Sequence, residues 1–251
     1  PTAEPTVEPT TAAPSSLPTG APTGCPLQPI GDDVEGDVDE RAGSAVALSS
    51  DGTIWAVGGQ DLVEGRVRVF ALDDGDWNQL GADLTGQQTG NEFGAAVALS
   101  ADGTILAVGE PEFGFNDKGK VKMFEYGTGS GWVQLGTGIQ GKEDDEKAGN
   151  AVALSSDGHT VAFGAQNYNS SQGVVRIYRY DDGGTNDWEQ LGDDIVGDAE
   201  GDFWGGDVAL SADGDIVAAG ARKHSPGGGG GSLLNAGHAR VYEFVLTGDD
   251  P

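Results

Sequence analysis

Val46-Ala47-Leu48-Ser49-Ser50-Asp51-Gly52 is the first of four near copies of one heptapeptide in this chain of 251 residues. The other copies begin at Val97, Val152 and Val208, so successive copies are 51, 55 and 56 residues apart. A period near fifty residues is longer than that of most helical or leucine-rich repeats and is typical of units of four β-strands. The spacing therefore predicts a repeat protein whose units are four-stranded β-sheets.

Three further short segments recur with the same period. A Trp-x-Gln-Leu-Gly segment begins at Trp77, Trp132 and Trp188, and residues 27–31 are a degraded copy of it. An Ala-x-Gly segment follows each heptapeptide, and an alternating run such as Val67-Arg68-Val69-Phe70 comes next. Four short β-rich runs per period, separated by Gly and Asp, predict four-stranded units. Their boundaries are placed near 27–76, 77–131, 132–187 and 188–250.

The Ser-x-Asp-Gly part of the heptapeptide predicts a tight hairpin between the first and second strands of each unit. An Asp side chain accepts hydrogen bonds from the backbone that follows it, and Gly adopts a positive φ without steric cost. The turn glycines are Gly52, Gly103, Gly158 and Gly214. The same reasoning places His159 in a solvated turn.

The composition of the strands predicts how they are arranged. The runs around Val46 and Ile54 are small and apolar on both faces, whereas residues 120–125 alternate between charged and apolar side chains. A strand enclosed by neighbouring sheets requires small apolar side chains on both faces. A more peripheral strand tolerates alternating charged and apolar side chains. We therefore predict an all-β fold, a β-propeller of four-stranded antiparallel blades. Four repeats either close a four-bladed ring, with residues 27–31 pairing near 239–245, or form part of a larger propeller.

Two family resemblances accompany these patterns. The Ser-x-Asp-Gly hairpin resembles the hairpin signature of WD40-like and TolB-like propeller repeats. Phe93-Gly94 followed by Val97-Ala98 and residues 107–111 resembles the FG-GAP repeat of integrin α-chain propellers. The resemblance covers residues 27–246 and implies a propeller fold. No Trp-Asp dipeptide ends a repeat and no Asp-x-Asp-x-Asp-Gly loop is present, so the calcium sites of the integrin-like repeat are not implied here.

The charge of the chain limits its partners. It contains 41 acidic and 13 basic residues, which give a net charge of −28. Repulsion between like charges argues against nucleic acid and against insertion into or binding to an anionic membrane. A cationic or mineral partner is physically easier, although acidity also keeps extracellular proteins soluble. No cofactor is predicted, because calcium fits the charge but no specific motif supports it.

The first 25 residues differ from the rest of the chain. Residues 1–25 form a Pro/Thr-rich tract with too little apolar surface to fold, and such tracts resemble O-glycosylated linkers of secreted and wall-associated proteins. The repeats occupy residues 26–251, and Cys25 has no partner for an internal disulfide. Asn169-Ser170-Ser171 is a glycosylation sequon. Because no signal peptide or initiator Met is present, we expect a processed form or fragment of a secreted or cell-surface protein.

Few residues in the chain indicate catalysis. The three histidines are His159, His224 and His238, and the sequence has no His-Glu-x-x-His, paired-Cys or nucleophile-elbow motif. Residues 226–232 are glycine-rich but lack the Lys-Ser/Thr of a phosphate-binding loop. The sequence therefore predicts no enzyme. A hydrolase or lyase that uses scattered carboxylates near the propeller axis is a less favoured alternative.

The tryptophans favour a structural interpretation. Trp77, Trp132 and Trp188 recur in phase, as packing residues between blades do, whereas a carbohydrate platform is expected in one repeat only. Trp204 replaces the Phe of the Phe-Gly element and is predicted to lie in the core. Trp55 has no counterpart in the other repeats, so a packing role and a role in ligand binding both remain open for it.

The binding surface is expected in the variable loops. In a propeller, the loop from the fourth strand to the next first strand and the loop from the second to the third strand emerge on the same face. The former loops are acidic in three of four repeats, and the latter carry aromatic and polar groups that can anchor a partner. The candidate binding residues are Asp37, Asp39, Glu40, Glu92, Phe113, Phe115, Asn116, Glu143, Asp144, Asp145, Tyr168, Asp198, Glu200, Asp202, Arg222, Lys223 and His224.

Two functions from different classes fit these features. The leading hypothesis is a non-catalytic extracellular adhesion module that binds a protein or a glycan through the variable loops. The alternative is an acidic matrix or wall protein that binds cations or mineral through distributed carboxylates. A discrete partner predicts that one or two loops dominate binding, whereas distributed binding predicts a graded loss as acidic loops are neutralised.

Overall fold

The four copies of the repeat fold into four antiparallel β-sheets that follow one another along the chain. The structure, a computed structural model, describes residues 28–60, 64–225 and 235–244. The one helical segment in these ranges, α1 (Tyr168–Ser171), is a single turn. None of the described helical structure is long and apolar enough to cross a membrane. The prediction of an all-β protein is confirmed.

The chain divides into two units, residues 1–30 and residues 31–251. Of the first unit only residues 28–30 are described, and they adopt no regular secondary structure. The predicted Pro/Thr-rich stalk and Cys25 lie outside the described residues. So do residues 226–232, the glycine-rich segment.

Each of the first three sheets contains four strands and a short fifth strand. Sheet 1 consists of β1 (Ala42–Leu48), β2 (Ile54–Gly59), β3 (Arg66–Asp73), β4 (Asp76–Gln79) and β5 (Leu84–Thr85). Sheet 2 consists of β6 (Ala96–Leu99), β7 (Ile105–Glu110), β8 (Lys120–Gly127), β9 (Gly131–Gln134) and β10 (Ile139–Gln140). Sheet 3 consists of β11 (Ala151–Leu154), β12 (Thr160–Ala165), β13 (Val174–Asp181), β14 (Asp187–Gln190) and β15 (Ile195–Val196). Sheet 4 consists of β16 (Trp204–Leu210), β17 (Ile216–Ala221) and β18 (His238–Glu243).

The tryptophan segments supply the fourth strand of the preceding unit. Trp77 lies in β4 opposite Leu72 of β3, and Trp188 lies in β14 opposite Tyr180 of β13. The short fifth strand then pairs with the start of the third strand, as in Arg66 with Thr85. The unit boundaries expected at residues 77, 132 and 188 therefore fall inside sheets, which span 42–85, 96–140, 151–196 and 204–243.

The predicted hairpins join the first and second strands of all four sheets. In sheet 1 the Asp51 Oδ1 accepts hydrogen bonds from the Thr53 amide at 2.9 Å and from the Ser49 hydroxyl at 2.8 Å. The Ser49 oxygen in turn accepts from the Ile54 amide at 2.9 Å. Gly52 has a φ of 74°, and the glycines at the same position in the other sheets have φ values between 73° and 79°. Sequence-local hydrogen bonds thus fix each turn, as the heptapeptide predicts.

The turn aspartates have lowered pKa values. The backbone amide of Thr53, followed by the hydroxyls of Thr53 and Ser49, lowers the pKa of Asp51. The pKa of Asp213 is lowered chiefly by hydrogen bonds from the Ser211 hydroxyl and the Asp215 amide. A carboxylate whose folded pKa is below its unfolded value stabilises the fold above the unfolded pKa, and this contribution is lost as the pH falls through the folded pKa.

Acid is therefore expected to weaken these turns. We expect the melting temperature of the wild-type chain to fall between about pH 5 and pH 3, and to fall less in a variant in which the four turn aspartates are replaced. That variant is Asp51→Asn, Asp102→Asn, Asp157→Asn and Asp213→Asn. Circular dichroism melts at a series of pH values provide the measurement. Equally steep pH dependence in both proteins would contradict this account.

Neighbouring sheets pack through apolar side chains and tryptophan hydrogen bonds. Val67 and Val69 of sheet 1 share one core cluster with Phe93 and Val97, which lead into and form part of sheet 2. The Trp132 Nε1 of sheet 2 donates to the Leu80 carbonyl at 2.8 Å, immediately after β4 of sheet 1. Trp188 and the Leu135 carbonyl repeat this contact at 3.0 Å between sheets 3 and 2. The interpretation of the in-phase tryptophans as packing residues between units is confirmed for Trp132 and Trp188.

The remaining two tryptophans also pack inside the protein. Trp204 is fully buried, and its Nε1 donates to the Ile195 carbonyl at 3.0 Å, which confirms the core prediction. Trp55 lies between Phe70 and Trp77, with a ring-centroid distance of 5.7 Å to each. The structure therefore assigns the ambiguous Trp55 to an aromatic cluster of sheet 1.

Backbone hydrogen bonds also connect the hairpin turns of successive sheets. The Ser50 amide donates to the Ala101 carbonyl at 2.9 Å, the Ala101 amide to Ser156 at 2.8 Å, and the Ser156 amide to Ala212 at 2.8 Å. These four residues hold the same position in the four heptapeptides. The first strands of the sheets therefore lie side by side in chain order.

Apolar side chains on the outer faces of the first and last sheets are exposed at the first strand of sheet 1 and the third strand of sheet 4. Val97 and Val208 are 9% and 8% exposed, whereas Val46, at the same position in sheet 1, is 61% exposed. On the opposite face, Ile177 is 2% exposed and its counterpart Val241 in sheet 4 is 69% exposed. At these positions the internal sheets are covered by their neighbours, whereas Val46 of sheet 1 and Val241 of sheet 4 are not.

A closed four-bladed ring, one of the two expected arrangements, is not formed within the described part of the chain. There β18 pairs with β17 and is the edge strand of a three-stranded sheet. Residues 28–30, expected to supply a closing strand, have no strand conformation, and Leu27 lies outside the described residues. The apolar faces of sheets 1 and 4 agree with this, because a closed ring of four sheets would bury both.

Candidate binding face

The two kinds of variable loop meet at one end of the sheets, which we call the loop face. It consists of the loops 86–95, 141–150 and 197–203, which lead into a new sheet, and of the connections 111–119 and 166–173 between second and third strands, together with residues 222–225 and 235–237. The Asp145 amide donates to the Asn116 carbonyl at 2.7 Å, and the Gly201 amide to Ser170 at 3.1 Å. The sequence-based expectation that these loops are neighbours is confirmed.

Ion pairs at a repeated position anchor the loop face to the third strands. Arg176 of β13 is 1% exposed and donates from Nη1 and Nη2 to Glu146 at 2.6 and 3.1 Å. Burial alone would lower the pKa of Arg176, but its hydrogen bonds to Glu146 and Asp194 raise it above the usual value. The basic residue at the same position of each other third strand also has an acidic partner: Glu40 in the loop before sheet 1 for Arg68, Glu110 at the end of β7 for Lys122, and Asp198 for Arg240.

Two predicted binding residues are buried against partners inside the protein. Glu40 is buried, accepts from the Asp37 amide at 2.7 Å and pairs with Arg68 at 2.9 Å. Asp202 is buried and lies 2.9 Å from the Nδ1 of His224. Their carboxylates are satisfied inside the protein, so both residues belong to the scaffold. Periodicity alone identified them as loop residues and could not show their burial.

The loop face contains an open polar groove between the entry to sheet 3 and the connection that contains α1. Its volume is about 670 Å³, and it is lined by Glu143, Asp144, Asp145 and residues 167–171. The three acidic side chains are exposed. Asp144 accepts from the Asn116 Nδ2 at 2.9 Å and lies 3.3 Å from the Lys118 Nζ. The structure therefore brings together five of the predicted binding residues, which are Asn116, Glu143, Asp144, Asp145 and Tyr168.

A second acidic group lies beside this groove. Burial raises the pKa of Glu92, and the charge of Glu112 raises it further. Burial and a hydrogen bond with Glu112 raise the pKa of Asp117. Lys147 forms an ion pair with Glu112. Carboxylates with raised pKa values are the groups that an acid–base catalyst uses. Here, however, the charge of Lys147 already offsets part of the negative charge of the cluster.

The aromatic and basic candidates occupy separate places. Phe115 is 92% exposed, whereas Phe113 lies under the Lys120 Nζ at 4.8 Å from the ring centroid. Arg222 and Lys223 both lie over the ring of Phe203, at 4.8 and 4.4 Å. Such cation–π contacts hold the basic groups at the surface of sheet 4. Phe115 is thus the aromatic candidate that is free to contact a partner.

The other candidates are exposed but scattered. Asp37 pairs with Arg66 at 2.8 Å, and Asp39 and Glu200 are exposed. The sequon residue Asn169 is exposed in α1, and its Nδ2 donates to the Gln172 Oε1 at 2.6 Å. Its glycosylation stays a prediction.

A histidine cluster lies at the loop end of sheet 4. Ligand atoms of Asp198, His224 and His238 all lie within 4.8 Å of one another. The two imidazole rings are 4.0 Å apart between centroids, and Arg240 binds both oxygens of Asp198. Sequence reasoning missed His238, because no short metal-binding spacing links it to His224. The available signal was that the two histidines bracket the connection between β17 and β18.

Comparisons with known proteins show similarity of fold only. No protein-family model matches the chain, and no curated protein matches it. A putative 6-phosphogluconolactonase from Bacteroides uniformis is similar with 12% identity, a TM-score of 0.50 and coverage of 72% of this chain and 50% of that chain. Hydrazine synthase from Kuenenia stuttgartiensis has 14% identity, a TM-score of 0.49 and coverage of 80% and 58%. Saccharomyces cerevisiae Sqt1 has 18% identity, a TM-score of 0.43 and coverage of 65% and 37%.

The chain therefore spans between 37% and 58% of the length of these structures. At such low identity a common fold carries no information on activity or ligand. Function has to be argued from the loop face itself.

Proposed function

We propose that this chain is a β-propeller module without catalytic activity that binds a protein or a glycan through its loop face. Support for the scaffold comes from four successive antiparallel sheets whose first strands lie side by side, as in blades with WD40-like or FG-GAP-like repeats. Support for binding comes from the position of the loops 111–119, 141–150, 166–173 and 197–203, which meet at one end of the sheets.

The groove at Glu143, Asp144 and Asp145 is the observation that carries this proposal. Its volume lies within the range of about 300–1,000 Å³ that is usual for ligand sites. The three carboxylates are exposed, in contrast to the buried carboxylate of Glu146, which belongs to the scaffold. Tyr168 and Asn169 supply an aromatic ring and an amide on the other side of the groove. An acidic groove with one aromatic side chain suits a basic peptide segment or an amino sugar.

We propose an extracellular location for this module. The Pro/Thr-rich residues 1–25 and the exposed sequon at Asn169 support this location. An adhesive role fits the same features, because a spacer places a binding face at a distance from the surface that carries it.

Neutralising the groove tests the function. The probes are a lysine- and arginine-rich peptide panel, chitosan oligosaccharides, neutral cello-oligosaccharides and sulfated oligosaccharides, measured by biolayer interferometry at about 150 mM salt. We expect saturable binding of a peptide or of chitosan. Replacing Glu143→Gln, Asp144→Asn and Asp145→Asn together is expected to weaken that binding by about tenfold or more.

A matched variant separates the groove from overall charge. Asp73→Asn, Asp74→Asn and Asp76→Asn remove the same charge from the exposed β3–β4 turn at the opposite end of sheet 1. This variant is expected to bind within about twofold of the wild type. Equal losses in the two variants, or no saturable binding to any probe, would count against the proposed function.

A further inference from the structure

We propose that Asp198, His224 and His238 form a binding site for a divalent transition-metal ion, with zinc as the expected ion. The inference rests on the histidine cluster alone and is independent of the ligand groove at residues 143–145. The three residues come from two different connections, since Asp198 follows β15 while His224 and His238 lie on either side of the β17–β18 connection.

The positions of the ligand atoms fit a metal after a small adjustment. In a tetrahedral zinc site the metal–nitrogen distance is about 2.0–2.1 Å, so two ligand atoms are about 3.4 Å apart. In this structure one ligand atom from each residue lies within 4.8 Å of the others. Side-chain rotations that move the atoms by about 1 Å would close the site. Three protein ligands leave the fourth position to water or another ligand.

Asp202 orients one histidine as a metal ligand requires. The Nδ1 of His224 lies 2.9 Å from the Asp202 Oδ2, and Asp202 also accepts from the Ala199 amide at 3.1 Å. A carboxylate that binds one imidazole nitrogen fixes the tautomer and leaves the lone pair of the other nitrogen for the metal. The Asp202 contact therefore gives His224 the orientation seen in metal centres and leaves its Nε2 as the ligand atom.

His238 carries a second and independent sign of a ligand. Its Nε2 is buried and has no hydrogen-bond partner in the described part of the structure. Its ring packs against Trp204, with 5.3 Å between the centroids, so the imidazole is held in place by an apolar contact. A buried polar atom without a partner is destabilising, and a bound metal would satisfy it.

The donor set selects the class of ion. Two imidazole nitrogens and one carboxylate suit zinc, copper or nickel, whereas calcium and magnesium prefer oxygen ligands throughout. Arg240 binds Asp198 but leaves lone pairs on its carboxylate, and the charge of Asp202 offsets that of Arg240. We therefore expect zinc to bind in preference to calcium.

Metal titration of the full chain tests the site. Zinc binding is measured by calorimetry at about 150 mM salt, and cobalt is used as a spectroscopic probe of tetrahedral coordination. We expect one saturable zinc site per chain. His238→Phe keeps a ring against Trp204, and His224→Asn keeps a donor for Asp202. Each is expected to weaken zinc binding by more than about 100-fold, and Asp202→Asn by about 10- to 100-fold.

Two controls separate this site from other metal-binding groups. His159→Ala removes the histidine of the third hairpin, and Cys25→Ser removes the single thiol. Both variants are expected to bind zinc as the wild type does. Absence of a saturable site, an unchanged affinity in folded His238→Phe and His224→Asn, or an equal loss in either control would overturn the proposal. Circular dichroism melts establish that each variant is folded.

Discussion

Replacing Val97 by Asp is expected to destabilise the chain by about 4 kcal/mol or more, which is a large part of the roughly 5–15 kcal/mol stability of a typical domain. Val97 is buried in the core cluster between sheets 1 and 2, among Val67, Val69 and Phe93. A carboxylate there would lose its hydration and gain no partner, since the cluster consists of apolar side chains. Urea denaturation followed by tryptophan fluorescence measures the change in the free energy of unfolding.

The matched control is the same substitution at the equivalent position of sheet 1. Val46 has the same place in the heptapeptide but lies on the exposed face of the first sheet. Val46→Asp is therefore expected to change the stability by no more than about 0.5 kcal/mol. A loss as large as that of Val97→Asp would show that Val46 is covered in solution, which would contradict the exposed outer face described above.

Replacing Glu146 by Gln is expected to destabilise the chain by about 3–5 kcal/mol. Glu146 and Arg176 are both buried, and the carboxylate accepts two hydrogen bonds from the guanidinium. Gln keeps the shape and one acceptor oxygen but removes the charge and places an NH2 group against the guanidinium, so Asp194 would be the only carboxylate left on Arg176. Chemical denaturation at neutral pH gives the change in stability.

Two further variants show whether the loss of stability comes from the buried ion pair. Asp215→Asn breaks the pair with Arg179, in which both side chains are well exposed, and is expected to cost about 0–1 kcal/mol. The double variant Glu146→Leu and Arg176→Met removes both buried charges and is expected to recover much of the loss. If Glu146→Gln costs no more than Asp215→Asn, the buried pair does not anchor the loop face.

Several features could be predicted from sequence because short segments determine them. The Ser-x-Asp-Gly hairpins form from hydrogen bonds within six residues, such as Ser49 with Asp51 and Ile54, and they recur in every sheet. The tryptophan positions repeat with the sheets, so their packing role followed from periodicity. The meeting of the two kinds of loop followed from the order of strands in a four-stranded unit.

It could not be predicted in this way which candidate residues are exposed to a binding partner and which are buried. Glu40 and Glu143 are both acidic loop residues, yet Arg68 binds the first inside the protein while the second lines an open groove. The difference depends on a basic residue of the third strand, which is 28 positions away from Glu40 in the chain. Hydrogen bonds of this kind form only when the sheet is complete.

The sequence by itself determined the repeat, the antiparallel sheets and their hairpins, because each arises from contacts between residues close in the chain. Only the tertiary structure decided which carboxylates are exposed, whether the faces of sheets 1 and 4 are covered, and that His238 lies beside His224 and Asp198. Those properties depend on pairings between distant segments. Periodicity records the spacing of such segments but does not record which of their side chains meet.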